Sequence, residues 1–425
     1  MTRPPSATAG GWWREADSQA RLVLVAASAG WMLDAFVVML FAMLLATLIP
    51  ALQLTTQQAG ILVSVPLLTS ALGGLAFGVV ADRYGRVRAL VGSILVFSIF
   101  TGLSALAGTF WQLVVLRACV GLGMGGEWAC GASLVSETWP AAHRGKAMGF
   151  MQSTWAIGYG LAALITALVL PLWGWRAVLA CGLLPVAIAP WIVWRIYEPP
   201  PASGRREDWR LADIFRGRLG RLTAAITAMN ACTLFGWWGM NAWVPAYLSL
   251  PPDRGGIGMS TGMMTSAIVT MQVGTWLGFV LFGYASDRFG LKRTYVTYVL
   301  TAAALLPLYS VISSPALLVV LGPVVAFFGT GYFSGFGVLT SRIYPRRIRA
   351  TGQGFTYNTG RMASAAAPFA VGSLASGGGF GLAFGLTGIA FLLAACTWFW
   401  IPGLAIADVG DDLVADGAAA PATSS

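Results

Sequence analysis

Four charged side chains stand inside long apolar stretches of this sequence. An ion there costs several kcal/mol unless it is paired, hydrated or protonated, so each is a candidate for chemistry. Asp34 lies in AASAGWMLDAFVVMLFAMLLATLIP, Arg117 and Glu127 share RACVGLGMGGEW, and Arg361 ends YNTGR. A buried carboxyl can carry a proton, and burial and a neighbouring cation act on it in opposite senses. A guanidinium offers a planar fork that matches a carboxylate bidentately. The one histidine, His143, falls in a polar loop, so proton carriage is left to Asp34 and Glu127, with Arg117 tuning Asp34. Arg361 has no acid in its own half of the apolar region; it either faces an anion or pairs with Asp34 across the interior.

Uncharged polar groups accompany these ions. Gln152 and Tyr159 are seven residues apart and share one helix face. Tyr357 and Asn358 precede Arg361 by one turn, and Asn230, Trp237, Trp238 and Asn241 mark another apolar run, with Gln272 on the next. Aromatic and amide groups together suit a pocket that stacks on an organic body and hydrogen-bonds its edges, although some tryptophans also suit a membrane interface.

The elements that must position these residues are membrane helices. The chain is 57% hydrophobic and 10% charged, where soluble domains carry roughly 25% charged residues. Twelve apolar runs reach spanning length: 22 to 50, 57 to 80, 88 to 108, 110 to 135, 145 to 171, 174 to 197, 222 to 249, 261 to 284, 293 to 312, 315 to 340, 350 to 375 and 380 to 402. Unbroken runs exclude a closed barrel of short alternating strands. Asp34 lies about twelve residues into its run, about 18 Å at 1.5 Å per residue, and Arg117 falls within about two turns of that depth, close enough for pairing.

The runs divide into two copies of one unit. GVVADRYGRVR, from Gly78 to Arg88, returns 205 positions later as GYASDRFGLKR, from Gly283 to Arg293. Asp82, Arg83 and Gly85 fall on Asp287, Arg288 and Gly290, and the offset carries Pro140 and Arg144 onto Pro345 and Arg349. The glycines allow close packing at Gly78 and a turn at Gly85, and Asp82 is placed to cap a helix and accept from an arginine. The loop is then a conformational latch, or simply a determinant of topology.

Expected boundaries are an N-terminal segment over 1–21, bundles over 22–197 and 222–402, a basic linker over 198–221 and a disordered acidic tail over 403–425. The 26 basic residues gather in the N-terminus, the linker and the loops that carry the repeated motif, which places those segments and both termini in the cytoplasm. The net charge of +10 therefore reports orientation and not nucleic-acid binding. The five cysteines lie in the spans without metal-ligand spacing and read as buried thiols, and Trp12 and Trp13 read as an interfacial anchor.

The repeated loop resembles the G-x-x-x-D-R-x-G-R/K pattern of the major facilitator superfamily, with Arg86 completing the first copy. SETWPAAHRGKAMG, with Glu137 and Arg144, is similar to the E-x-x-P-x-x-x-R-G element of its sugar and organic-acid carriers. QSTWAIGY and YNTGR resemble more narrowly the branch of sialate and lactate proton symporters. The resemblance implies an all-α membrane fold of twelve helices in two pseudo-symmetric bundles around a central cavity. Two positions depart from the pattern: Val37 replaces a second acid after Asp34, and Arg342 stands where Glu137 stands in the first copy.

Together these readings give a proton-coupled inner-membrane importer of a small organic anion, working by alternating access. The anion is a monocarboxylate, a sugar acid or an aromatic acid. The carrier is expected to act as a monomer in the lipid bilayer, with no metal and no cofactor beyond the coupling proton. Efflux of drugs or metabolites, or neutral sugar transport, is the alternative. A non-transporting sensor lacks an appended signalling module, and an enzyme lacks a nucleophile, metal or phosphate-binding constellation.

Overall fold

In a computed structural model, residues 11–140, 143–197, 214–344 and 349–401 are described. Among these residues the regular structure is helical throughout. The first half holds α1 (Gly11–Glu15), α2 (Ser18–Ala51), α3 (Thr56–Tyr84), α4 (Arg86–Leu103), α5 (Phe110–Thr138), α6 (Arg144–Ala180) and α7 (Ala189–Arg195). The second holds α8 (Gly217–Ser249), α9 (Thr261–Phe289), α10 (Leu291–Val311), α11 (Pro315–Thr330), α12 (Phe333–Ile343), α13 (Arg349–Ser364) and α14 (Ala366–Cys396).

Local chemistry sets several ends. Asp17 accepts from the Ala20 amide at 2.6 Å ahead of α2, and Thr55 with Gln58 and Thr109 with Gln112 form capping boxes at α3 and α5. Each cap satisfies amides that the first helical turn leaves without partners.

Nine stretches of the described residues are long and apolar enough to cross a membrane by length and composition. One of them, residues 146–195, is two crossings, because Gly174 breaks it at φ 74°. The remaining two crossings are α8 and the stretch from α13 to Gly379, where α14 breaks at φ 77°. These two are the most polar of the twelve, and both line the central cavity described below. The run expected over 315–340 is divided into α11 and α12, and the run over 350–375 into α13 and the start of α14.

The duplication is visible in three dimensions. Gly85 and Gly290 turn at φ 100° and 87° after α3 and α9, and Gly174 and Gly379 break their helices at the same offset of 205. A β-carbon built on Gly73 would lie 2.1 Å from the Leu122 carbonyl oxygen, and one on Gly278 would lie 2.5 Å from that of Phe327, again 205 positions on in both partners. Small residues at these crossings let backbones meet without side chains between them. The result is two pseudo-symmetric six-helix bundles.

Gly125 and Gly158 sit tightest, their added β-carbons falling 1.9 Å from the Ser70 and Met32 carbonyl oxygens, whereas nothing lies within 4 Å at Gly78 or Gly283. Close packing at Gly78 is therefore not found; that helix end stands open. Gly125→Ala is expected to destabilise the fold by about 1–3 kcal/mol through overpacking, and Gly78→Ala to leave the thermal midpoint in detergent unchanged or slightly raised.

Other expectations need correction. Trp13 is not an isolated anchor: α1 folds back so that its ring lies 6.1 Å from Trp139 and 6.5 Å from Phe150. Of the cysteines only Cys130 is buried, and Cys396 is exposed. α2 begins at Ser18 and α8 at Gly217, each ahead of the run its apolar residues define. The linker residues 198–213 and the tail from 402 lie outside the described residues.

Candidate functional site

The two bundles enclose a cavity at mid-length. α2 supplies Trp31 and Asp34, α5 Met124, and α6 Gln152 and Trp155; the second half supplies Leu234, Trp237 and Trp238 from α8, Phe279 from α9, Thr330 from α11, Phe333 from α12, and Tyr357 and Arg361 from α13. Helical spacing explains the register: Trp31 and Asp34, Gln152 and Trp155, and Tyr357 and Arg361 are each three or four apart, so each pair shares a face.

Aromatic rings form most of the wall. Trp155 lies 4.9 Å from Trp31 within its own bundle and 5.5 Å from Trp237 across the divide, while Trp237 packs edge-on to Trp238 at 4.8 Å and to Phe333 at 5.4 Å. The space left has a volume of about 40 Å³, room for a few waters and too small for an organic ring. The site is contracted in this conformation, and a ligand enters it only as these rings move apart.

The charged walls face this space from opposite bundles. Asp34 is 1% exposed and Arg361 8% exposed. Neither forms an ion pair within 4.0 Å among the described residues. Asp34 Oδ1, Arg361 Nε, Gln152 Oε1 and the indole nitrogens of Trp31, Trp155 and Trp237 have no hydrogen-bond partner. Buried polar atoms are rarely left so, and their gathering around one cavity marks a place where a ligand or water completes the bonding.

Arg117 stands apart from the cavity. Its Nε donates to the Leu62 carbonyl at 3.3 Å and its guanidinium lies 4.2 Å over the Phe41 ring. Of the two cations, Arg361 and not Arg117 shares the cavity lining with Asp34. Glu127 is fully buried, both carboxylate oxygens lack partners, and a β-carbon on Gly30 would lie 2.6 Å from its Oε1. Gly30 is one turn from Asp34 on α2, so the two acids are stacked along that helix.

Several residues singled out by sequence fall outside the cavity lining. Asn358 is exposed and its amide donates to the Gly354 carbonyl of its own helix at 2.9 Å. Asn241 donates to the Trp237 carbonyl at 3.0 Å, and Tyr159 donates to the Asn241 carbonyl at 3.2 Å, tying α6 to α8. Asn230 and Gln272 are buried away from the lining. Residues that the sequence reading missed are Trp31, Met124, Trp155, Leu234, Phe279, Thr330 and Phe333. Trp31 and Trp155 were within reach, each three residues from a polar residue already singled out.

The ends of the bundle are sealed differently. At the end away from the repeated loops, the Phe369 amide donates to Ser64 Oγ at 3.2 Å, Thr265 donates to the Ala163 carbonyl at 3.2 Å, and Thr56 meets Ser376. Gly60 and Gly372 allow main-chain approach there, with added β-carbons 2.6 Å from the Pro368 oxygen and 2.5 Å from the Thr56 oxygen. Toward the end with the repeated loops, the bundles meet through Trp128 stacked on Tyr357, centroids 5.1 Å apart and planes at 18°. A stack of this kind contributes about 0.5–1.5 kcal/mol beyond its buried area. With native cysteines replaced, a thiol at Gln152→Cys is expected to react about two- to tenfold faster with an impermeant maleimide when Trp128→Ala is added.

In the repeated loops, Arg83, Asp287 and Arg288 are exposed, and no side chain caps α10 at Gly290. At Asp287, the counterpart of Asp82, no acid cap forms, while the cap expected at Asp82 itself falls outside the described residues. The side chains of Asp82, Glu137 and Arg144 lie outside the described residues, and Arg86 does have an interaction partner. His143 pairs with Glu15 at 2.6 Å, fastening α1 to the loop before α6.

Comparison with known proteins agrees with this architecture. Residues 27–269 and 249–410 match the family model of the Major Facilitator Superfamily. The cis,cis-muconate transport protein of Acinetobacter baylyi is 34% identical over 80% of this chain and 84% of its own. The sialic acid transporter NanX of Escherichia coli is 30% identical over 92% and 97%. The xylose transporter XylE of Escherichia coli, in a partially occluded inward-open conformation, superposes with a TM-score of 0.73 at 18% identity, covering 91% of this chain and 98% of that one. The chain belongs to the Major Facilitator Superfamily, within its organic-acid branch. It is a multi-pass inner-membrane transporter and not an enzyme.

Proposed function

We propose that the chain is a monomeric, proton-coupled importer of a small organic anion, with both termini and the repeated loops in the cytoplasm. The observation that carries this reading is a single cavity walled by Asp34 from one bundle and Arg361 from the other. With both ionised the cavity is neutral. An arriving carboxylate, gripped by Arg361, leaves one negative charge in excess in a low-dielectric interior, and a proton on Asp34 restores neutrality. Substrate and proton therefore favour each other's binding, which is the thermodynamic content of symport.

Glu127, one turn from Asp34 on the side of the repeated loops, is the second proton site and leads toward the cytoplasm. Arg117 contributes a fixed positive field. Among monocarboxylates, sugar acids and aromatic acids, the wall of indole and phenyl rings favours a planar unsaturated acid, because it offers faces for stacking and few hydroxyl partners. The muconate relative's name fits this, and the sialate relative's name keeps sugar acids in the panel. Efflux of apolar cations is disfavoured by a guanidinium in the wall.

The test is uptake into proteoliposomes of labelled benzoate, nicotinate, muconate, lactate and sialate at set pH differences and membrane potentials. Accumulation of at least one carboxylate on the alkaline side is expected. Uptake that ignores the pH difference for every acid, or accumulation of neutral sugars alone, would overturn the reading.

A further inference from the structure

The first turn of α8 carries Arg218 and Arg221, three residues apart and so on one side of the helix. Both are exposed and neither has an ion-pair partner among the described residues. The first copy holds Trp13 and Ala16 at the corresponding positions, 205 earlier, so the duplicated scaffold does not require the two arginines. Below them, toward the membrane interior, α8 presents Ala224 and Ala228, a low ridge between two apolar grooves.

One groove, of about 610 Å³, runs between α8 and the segment after α14, where Phe399 is 86% and Trp400 69% exposed. The other, of about 400 Å³, runs on the opposite flank between α8 and α13, where the Phe215 and Phe355 rings pack edge-on at 5.0 Å. Exposed aromatic rings at the end of a membrane helix lie at the lipid interface. The surface thus has a cationic head position at one trough and a second trough across the Ala224 and Ala228 ridge.

We propose that this surface is a binding site for an anionic two-chain glycerophospholipid of the leaflet on the side of the repeated loops. The phosphodiester meets Arg218 and Arg221, whose guanidinium forks suit phosphate. The acyl chains lie on either side of the Ala224 and Ala228 ridge. A basic pocket between membrane helices commonly selects anionic head groups. A free phosphate shares the head chemistry but leaves the troughs empty, and a zwitterionic lipid fills the troughs without giving the arginines a net charge to hold.

Native mass spectrometry of the full chain, released from micelles doped with POPG or POPC, tests the site without substrate or gradient. Its result is therefore independent of whether the transport reading holds. POPG is expected to be retained over POPC. Arg218→Gln and Arg221→Gln should each lower POPG retention about fivefold. Ala228→Phe, which fills the ridge with both arginines in place, should lower retention of both lipids, whereas the two arginine variants should keep the parent's POPC retention. Equal retention of POPG and POPC, a double arginine variant that holds POPG as the parent does, or release of POPG by millimolar inorganic phosphate would each overturn the proposal.

Discussion

An Asp34→Asn chain is expected to exchange its organic anion across the membrane at equal pH but to lose all accumulation driven by a pH difference. Asn presents the neutral state of the carboxyl permanently, so Arg361 still finds a substrate carboxylate and the cavity still reaches neutrality. What disappears is the link to the proton. With the proposed coupling of one proton per monoanion, the parent should turn a pH difference of one unit, about 1.36 kcal/mol, into roughly tenfold accumulation on the alkaline side. In the variant that ratio should fall to about one. Counterflow and gradient-driven uptake, measured on the same vesicles, separate the two properties. An Asn variant that still concentrates substrate tenfold would remove Asp34 from the coupling role and leave Glu127 as the candidate.

The second large effect is at Arg361. On the proposed reading, its replacement by Ala takes away the partner of the substrate carboxylate and leaves Asp34 without the cation that faces it across the cavity. Truncating one member of a buried charge pair typically costs 2–5 kcal/mol, so the apparent affinity for the acid should weaken by about 30-fold or more. Arg361→Lys keeps the charge but not the planar fork and should recover part of the loss. The diagnostic comparison is an acid against its neutral amide: the parent should discriminate strongly, and the Ala variant should not. Unchanged affinity for the acid in the Ala variant would point instead to a neutral sugar or to efflux.

Much of the fold was legible because duplication leaves an arithmetic trace. The offset that aligns the two loop motifs also relates Gly73 with Leu122 to Gly278 with Phe327, and Gly174 to Gly379. The apolar runs gave twelve crossings, including α8 and the α13 to Gly379 stretch, which hydropathy alone passes over. The breaks between α11 and α12 and within the eleventh run were not legible, since their residues differ little from those of an unbroken helix.

The site was legible in part. Depth follows from counting along a helix, and it placed Asp34, Arg117 and Arg361 near mid-membrane. The direction in which a side chain points around its helix does not follow from the count when apolar residues occupy every face. Arg117 therefore looked like Asp34's partner, whereas it is bonded to the Leu62 carbonyl outside the cavity. Asn358 likewise turns out from the helix whose neighbours Tyr357 and Arg361 turn in. Trp128 was hidden beside Glu127, as one more aromatic residue in an apolar run.

The unequal seals set the tempo of the transport cycle. Among the described residues, parting Trp128 from Tyr357 disturbs one pair of rings, whereas parting Gly60 from Pro368 and Gly372 from Thr56 requires whole helices to separate along main-chain seams. On the alternating-access reading proposed above, the return stroke that unseals the opposite end is expected to be the slower one. A driving gradient then acts mainly by hastening that stroke, so maximal velocity, more than half-saturation, should respond to it.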